Sequence, residues 1–175
     1  MLTNTELTEL NKQRKIHQIA FLVYDAEETM QKWVDLLDIG PWLVLVMSDE
    51  TCTDVIENGQ ASDRKFKFIC AATMVGETQI ELIQPCYGVE VYENWMKKHG
   101  EGLHHIKEYI PNEKLDAAVK NYEEKGMPLI RGGHYLEDIH LYIDSMDKLG
   151  FQLEIGNCAD ISLTEDMYYI FPPER

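Results

Sequence analysis

The chain has 175 residues, 45 % hydrophobic and 27 % charged, which suits one compact domain or two small repeats sharing a core and excludes disorder along its whole length. Against 31 Asp and Glu stand only 16 Lys and Arg. The net charge of −15 argues against a broad grip on nucleic acid or anionic lipid and leaves little positive charge for a polyanionic substrate.

The longest apolar runs, 19–24 and 42–47, are far shorter than the ~20 residues of a membrane span. Residues 1–10 carry no basic, apolar leader, so a cytoplasmic protein without membrane or nucleic-acid partners is expected. Cys52, Cys70, Cys86 and Cys158 form neither a CxxC pair nor zinc-finger spacing. They are read as reduced thiols, with Cys70 in the core.

In chain order, the polar arm 1–15 is a loose helix at most. Ile16–Tyr24 reads as a strand and Asp25 as the cap of a helix carrying Met30, Trp33, Val34 and Leu37 at helical spacing. That helix stops near Gly40-Pro41. Strands are expected at 42–47, 65–74 and 78–84, with polar 48–64 as a long loop. Tyr92, Trp95 and Met96 make 86–102 a helical linker.

The pattern then returns. Leu103–Pro111 is strand-like and Asn112 is a plausible cap. Leu115, Ala118, Val119 and Tyr122 line a helix that stops at Gly126 and Pro128. Strands follow at 128–131, 139–144 and 151–155. The apolar, aromatic tail 157–175 is expected to dock on its own chain or on a partner subunit. An internal repeat of this kind specifies an α+β fold of two βαβββ modules, 16–85 and 103–156.

In that repeat Gln18 aligns with His105 and Glu81 with Glu154, all four inside apolar strands. Two carboxylates buried face to face repel unless a proton or cation lies between them, and a divalent metal serves. One nitrogen and three oxygens, with room for water, suit loosely held zinc, nickel, cobalt, manganese or magnesium more than a closed structural zinc. Period-two alternation turns His17 and His104 to the opposite face and aligns Lys107 and Tyr109 with His105. Lys107, Tyr109 and His140 are candidate substrate-lining residues. His99 is read as exposed.

The stretch Glu81-Leu82-Ile83-Gln84-Pro85 through His99-Gly100-Glu101-Gly102-Leu103-His104-His105-Ile106, with the turn Asp38-Ile39-Gly40-Pro41-Trp42, resembles the vicinal oxygen chelate superfamily of glyoxalase I, methylmalonyl-CoA epimerase, extradiol dioxygenases and bleomycin-resistance proteins. The resemblance covers 16–156. It implies a curved, half-open mixed sheet around a central cavity with one metal on Gln18, Glu81, His105 and Glu154, zinc being the first choice. It also implies a homodimer and a small-molecule substrate that passes through a metal-stabilised enolate. Glu154 is its first candidate for the general base and Glu81 its second. Methylmalonyl-CoA epimerases usually place His where Gln18 stands, and the Gln-Glu-His-Glu set is similar to the zinc form of glyoxalase I. The expected activity is a metal-dependent isomerase, epimerase or lyase. The alternative is a drug-sequestering binding protein whose acidic cleft, lined by Trp42, Trp95 and tyrosines, takes a cationic aromatic ligand. A ring-cleaving dioxygenase, which wants two His and one carboxylate on iron, is disfavoured by Gln18.

Overall fold

The computed structural model describes residues 2–174. Helix α1 (Asn4–Lys12) is closed by a reciprocal Thr3–Glu6 capping box and buries none of its residues, so local bonds rather than packing maintain it. Strand β1 (Ile16–Leu22) leads through Asp25, whose Oδ1 accepts from the Glu28 N–H at 2.9 Å, into α2 (Ala26–Leu37). There follow β2 (Trp42–Ser48), β3 (Cys52–Glu57), β4 (Gln60–Ala61), β5 (Lys67–Val75), β6 (Thr78–Tyr87) and α3 (Glu90–His99). The second half runs β7 (Gly102–Tyr109), α4 (Asn112–Glu124), β8 (Leu129–Tyr135), β9 (Asp138–Ile143), a one-turn α5 (Met146–Leu149), β10 (Gln152–Gly156) and β11 (Tyr168–Phe171). Asn112 is not the cap of α4: Pro111 takes that place without a side-chain bond, and Asn112 is already helical.

All eleven strands join one mixed sheet, in the order β11-β2-β5-β6-β1-β7-β10-β9-β8-β3-β4. At its centre β1 and β7 run antiparallel with Ile19 opposite Ile106, while β6 lies parallel to β1 and β10 parallel to β7. The order β2-β5-β6-β1 is therefore repeated as β8-β9-β10-β7, the two halves of the α+β repeat. Met30, Trp33 and Val34 of α2 pack on Phe21, Trp42 and Leu82, and α4 packs Leu115, Ala118 and Val119 on Ile143, Leu153 and Ile155. Both helices cover one face of the sheet. The other face encloses a third cluster that includes Leu22, Phe68, Tyr92 and Tyr142.

Two elements cross between the halves. Residues 48–64 are not the expected long loop: they contain β3 and β4, and β3 pairs with β8 of the second half, Cys52 opposite Tyr135. Its apolar signal, Val55 and Ile56, is too short to read as a strand before its distant partner is known. Only three residues separate β2 from β3, which belong to opposite arms of the sheet, so the arms must curl toward each other at 49–51. The tail docks on its own chain, β11 pairing with β2. Among the described residues no helix is long and apolar enough to cross a membrane.

The central β1–β7 ladder carries two bulges. One leaves His17 as the extra residue of β1 and the other leaves His104 as the extra residue of β7. A bulge interrupts alternation, so neighbouring side chains no longer take opposite faces. His17 consequently lines the cavity beside Gln18, and His104 lies edge to edge with His105, contrary to the opposite-face expectation for both.

Candidate functional site

The curled sheet encloses a cavity of about 680 Å³. Register across the four central strands assembles its polar end. Ala20 of β1 lies between Glu81 of β6 and His105 of β7, and Lys107 of β7 lies between Gln18 of β1 and Glu154 of β10. The repeat thus makes Ala20 and Lys107 counterparts. On one side a methyl group leaves room, and on the other an ammonium enters.

The four aligned residues are brought together. His105 is 0 % exposed, and its Nε2 lies 3.0 Å from Glu154 Oε2 and 3.5 Å from Glu81 Oε2. Gln18 is 4 % exposed and lines the cavity with Glu81 and Glu154, while His105 is buried behind the two carboxylates. Glu154 turns its other oxygen to the Lys107 ammonium at 3.0 Å, and that ammonium also reaches both Asp138 oxygens, at 2.9 and 3.1 Å. The Cys70 thiol donates to Glu81 Oε1 at 2.9 Å. Below this layer the Tyr92 and Tyr142 hydroxyls meet at 2.8 Å.

Burial opposes every charge here, and the pairing decides which survive. Burial would raise the Glu154 carboxyl, but Lys107 and His105 hold it far below the usual carboxylate range. Burial would lower His105, but Glu154 and Glu81 push it up to about 9. Lys107 stays charged for the same reason, with Glu154 and Asp138 outweighing its burial. The Asp138 carboxyl is raised, burial exceeding the help of Lys107. Burial drives His140, on the cavity wall, down to about 3, leaving it neutral.

Among the described residues no three His, Cys, Asp or Glu side chains already form a coordination sphere. The donor set nonetheless fits a divalent ion. His105 Nε2 is buried and makes no hydrogen bond of good geometry, although two carboxylate oxygens lie beside it. Atoms sharing one ion at ~2.1 Å are separated by roughly 3.0–3.4 Å, which is about the spacing His105 keeps from Glu154 and Glu81.

Two sequence expectations do not stand. Tyr109 ends β7, is 41 % exposed and does not line the cavity; its backbone N–H donates to Lys15, and the cavity wall stops at Lys107. Trp42 lies in the layer under α2 and Trp95 lines a separate, smaller cavity, so neither tryptophan faces this one; Tyr92, Tyr135 and Tyr142 do. Asp138 was missed. It alternates with His140 and Tyr142 along β9, and that period was the available signal. Cys158, Asp160, Ile161 and Leu163, in the span between β10 and β11, also line the cavity, and no local pattern marks them.

A profile of the Glyoxalase/Bleomycin resistance protein/Dioxygenase superfamily matches residues 17–143. No curated protein matches the sequence significantly. A hypothetical protein of Bacillus halodurans C-125 has a similar structure, with TM-score 0.57 and 16 % identity over 87 % of this chain and 99 % of its own. A methylmalonyl-CoA epimerase in complex with methylmalonyl-CoA and NH4+ gives 0.52 and 16 %, over 81 % and 92 %. The methylmalonyl-CoA epimerase of Mycobacterium tuberculosis gives 0.52 and 17 %, over 83 % and 88 %. At such identities the structural likeness speaks for the fold alone, whereas the profile spans most of the chain, including three of the four aligned polar residues. The chain belongs to the Glyoxalase/Bleomycin resistance protein/Dioxygenase superfamily.

Proposed function

We propose that the chain is a metal-dependent isomerase, epimerase or lyase of the glyoxalase type, with Gln18, Glu81, His105 and Glu154 holding one divalent ion, zinc first and nickel, cobalt or manganese next. The observation that supports this is the buried His105 Nε2 beside two carboxylates at ion-sharing distances. When bound, such an ion would take a substrate oxygen and draw off the negative charge that develops as a proton leaves the neighbouring carbon.

The chain's own groups divide the remaining work. Glu154 has the Lys107 ammonium at 3.0 Å, a cation that stays in place when His105 gives its lone pair to an ion and that holds the carboxyl below its ordinary range, which suits a fixed charge and makes it a poor proton acceptor. Glu81 faces the cavity with 14 % of its side chain exposed and accepts one thiol hydrogen bond. Glu81 is therefore the better base, reversing the order that the family resemblance favours. It takes the proton from carbon and returns it to the opposite face or to a neighbouring atom. Apolar walls, among them Leu45, Met47, Phe68 and Ile83, keep the site dry and strengthen these charges. The substrate is a small molecule, methylmalonyl-CoA-like or a hemithioacetal. The free thiols fit a cytoplasmic setting, and a homodimer completes the reading.

A second reading has its own support. Glu81, Asp138, Glu154 and Asp160 share the cavity with three tyrosines and a single lysine, a lining suited to sequestering a cationic aromatic compound without turnover. Metal content by mass spectrometry, beside His105→Ala and Glu154→Ala, separates the two. About one divalent ion per chain, lost in both variants, supports the enzyme, and solvent deuterium uptake into enolisable thioesters or hemithioacetals then tests turnover. No ion after soaking with all four metals rejects it in favour of the binder.

A further inference from the structure

His104 lines a second cavity, and His105 is buried between His104 and the carboxylates Glu81 and Glu154 that line the first. The second cavity, of about 290 Å³, lies beside α3. His104 is 0 % exposed and is gripped by edge-on contacts from Tyr92 and Trp95, with ring centroids 5.3 and 5.6 Å away. Its Nδ1 lies 3.0 Å from His105 Nδ1. Its Nε2 is buried and has no hydrogen-bond partner within the chain.

Two facing nitrogens at that distance need one proton between them, and its place follows from the far ends of the rings. His105 turns Nε2 toward Glu81 and Glu154. A histidine that binds a cation through Nε2 keeps its proton on Nδ1. Nδ1 of His104 must then be the acceptor, so a neutral His104 carries its proton on Nε2. The second cavity does not oppose that arrangement: Glu57, Glu90 and Asp144 line it together with Lys98 and Arg131, and the His105 side of the pair decides where the proton sits. The reverse arrangement would put a proton on His105 Nε2, between the carboxylates, and remove the lone pair an ion needs.

We propose that His104 is a positioning residue, brought beside His105 by the β7 bulge to accept its Nδ1–H and hold Nε2 open toward the carboxylates. The proposal rests on the metal-site reading above. Partners that orient a ligating histidine typically matter by about 10–100-fold in metal affinity.

The test has two arms on the full chain. In the first, ¹⁵N NMR of the wild type, zinc-loaded and also metal-free at about pH 10 where His105 is neutral, looks for coupling across the Nδ1–H···Nδ1 bond, with the proton on His105. In the second, zinc and cobalt affinities are measured by chelator competition for wild type, His104→Phe and His104→Asn, with thermal unfolding of each. Phe keeps a ring without an acceptor, and Asn restores an acceptor oxygen near the Nδ1 position. The expected results are a visible coupling, 10–100-fold weaker binding in the Phe variant and recovery of most of that loss in the Asn variant. Equal affinity in the Phe variant, no recovery with Asn, or a proton on His104 Nδ1 would overturn the proposal. If the wild type takes up no ion, the metal reading fails by itself, and the NMR arm still decides how the pair is oriented.

Discussion

Replacing Lys107 by Met keeps most of the side chain's apolar stem and removes its charge. Lys107 is 5 % exposed and bonds Glu154, 4 % exposed, and Asp138, 21 % exposed, so the variant leaves two largely buried carboxylates without their cation. Removing one partner of a buried pair costs about 3–5 kcal/mol. Two features place this case toward the low end: His105, pushed up to about 9, still faces Glu154, and burial already raises the Asp138 carboxyl, easing its protonation. At roughly 2–4 °C per kcal/mol for a chain of this size, a loss near 3 kcal/mol lowers Tm by roughly 6–12 °C. The pH dependence carries the sign. In the wild type the depressed Glu154 contributes stability that is present above the ordinary carboxylate pKa and lost as pH falls through its folded value. In the variant Asp138 and Glu154 are free to protonate in the fold, so the deficit is largest at pH 8 and shrinks toward pH 5. Urea and thermal unfolding of chelator-treated protein at both pH values measure this. A deficit below about 1 kcal/mol at pH 8, or one that is equal at pH 5, refutes the view that this ammonium holds the two carboxylates in the cavity.

Two further outcomes are expected. Because the folded value of His105 is raised to about 9 by Glu154 and Glu81 against its burial, metal-free protein keeps that contribution fully below pH 6.5 and loses about 3 kcal/mol as pH rises to 9. Urea titrations across this window should show the loss in wild type and not in His105→Gln, and a flat wild-type profile would show that the imidazolium is not held. Gly156→Ala should destabilise by about 3 kcal/mol, at the upper end for overpacking, because an added Cβ would collide with the Ile139 carbonyl oxygen and come within 2.8 Å of Lys107 Cε. Unchanged thermal stability in that variant would mean that β9 and the lysine stem yield freely.

The repeat, the two amphipathic helices and the pairing of Gln18 with His105 and Glu81 with Glu154 were all legible in the chain, because each rests on local periodicity and on two halves repeating one pattern. Asp25 announced its helix in the same way, through a side chain that satisfies a backbone N–H three residues on. The remainder depends on partners far away in sequence. Residues 52–57 become a strand only because β8 offers an unpaired edge, and the tail becomes one only beside β2. Alternation placed Lys107 correctly and misplaced His17 and His104, since a bulge is a property of two paired strands and no single strand reveals it. Composition and repetition thus determined the α+β class and the four polar positions. Tertiary structure alone decided that Lys107 is clasped by Glu154 and Asp138, that Glu81 is the freer carboxylate, and that two adjacent histidines meet edge to edge. Those outcomes rest on distance and burial, which set the strength of every charge and which only the packed sheet defines.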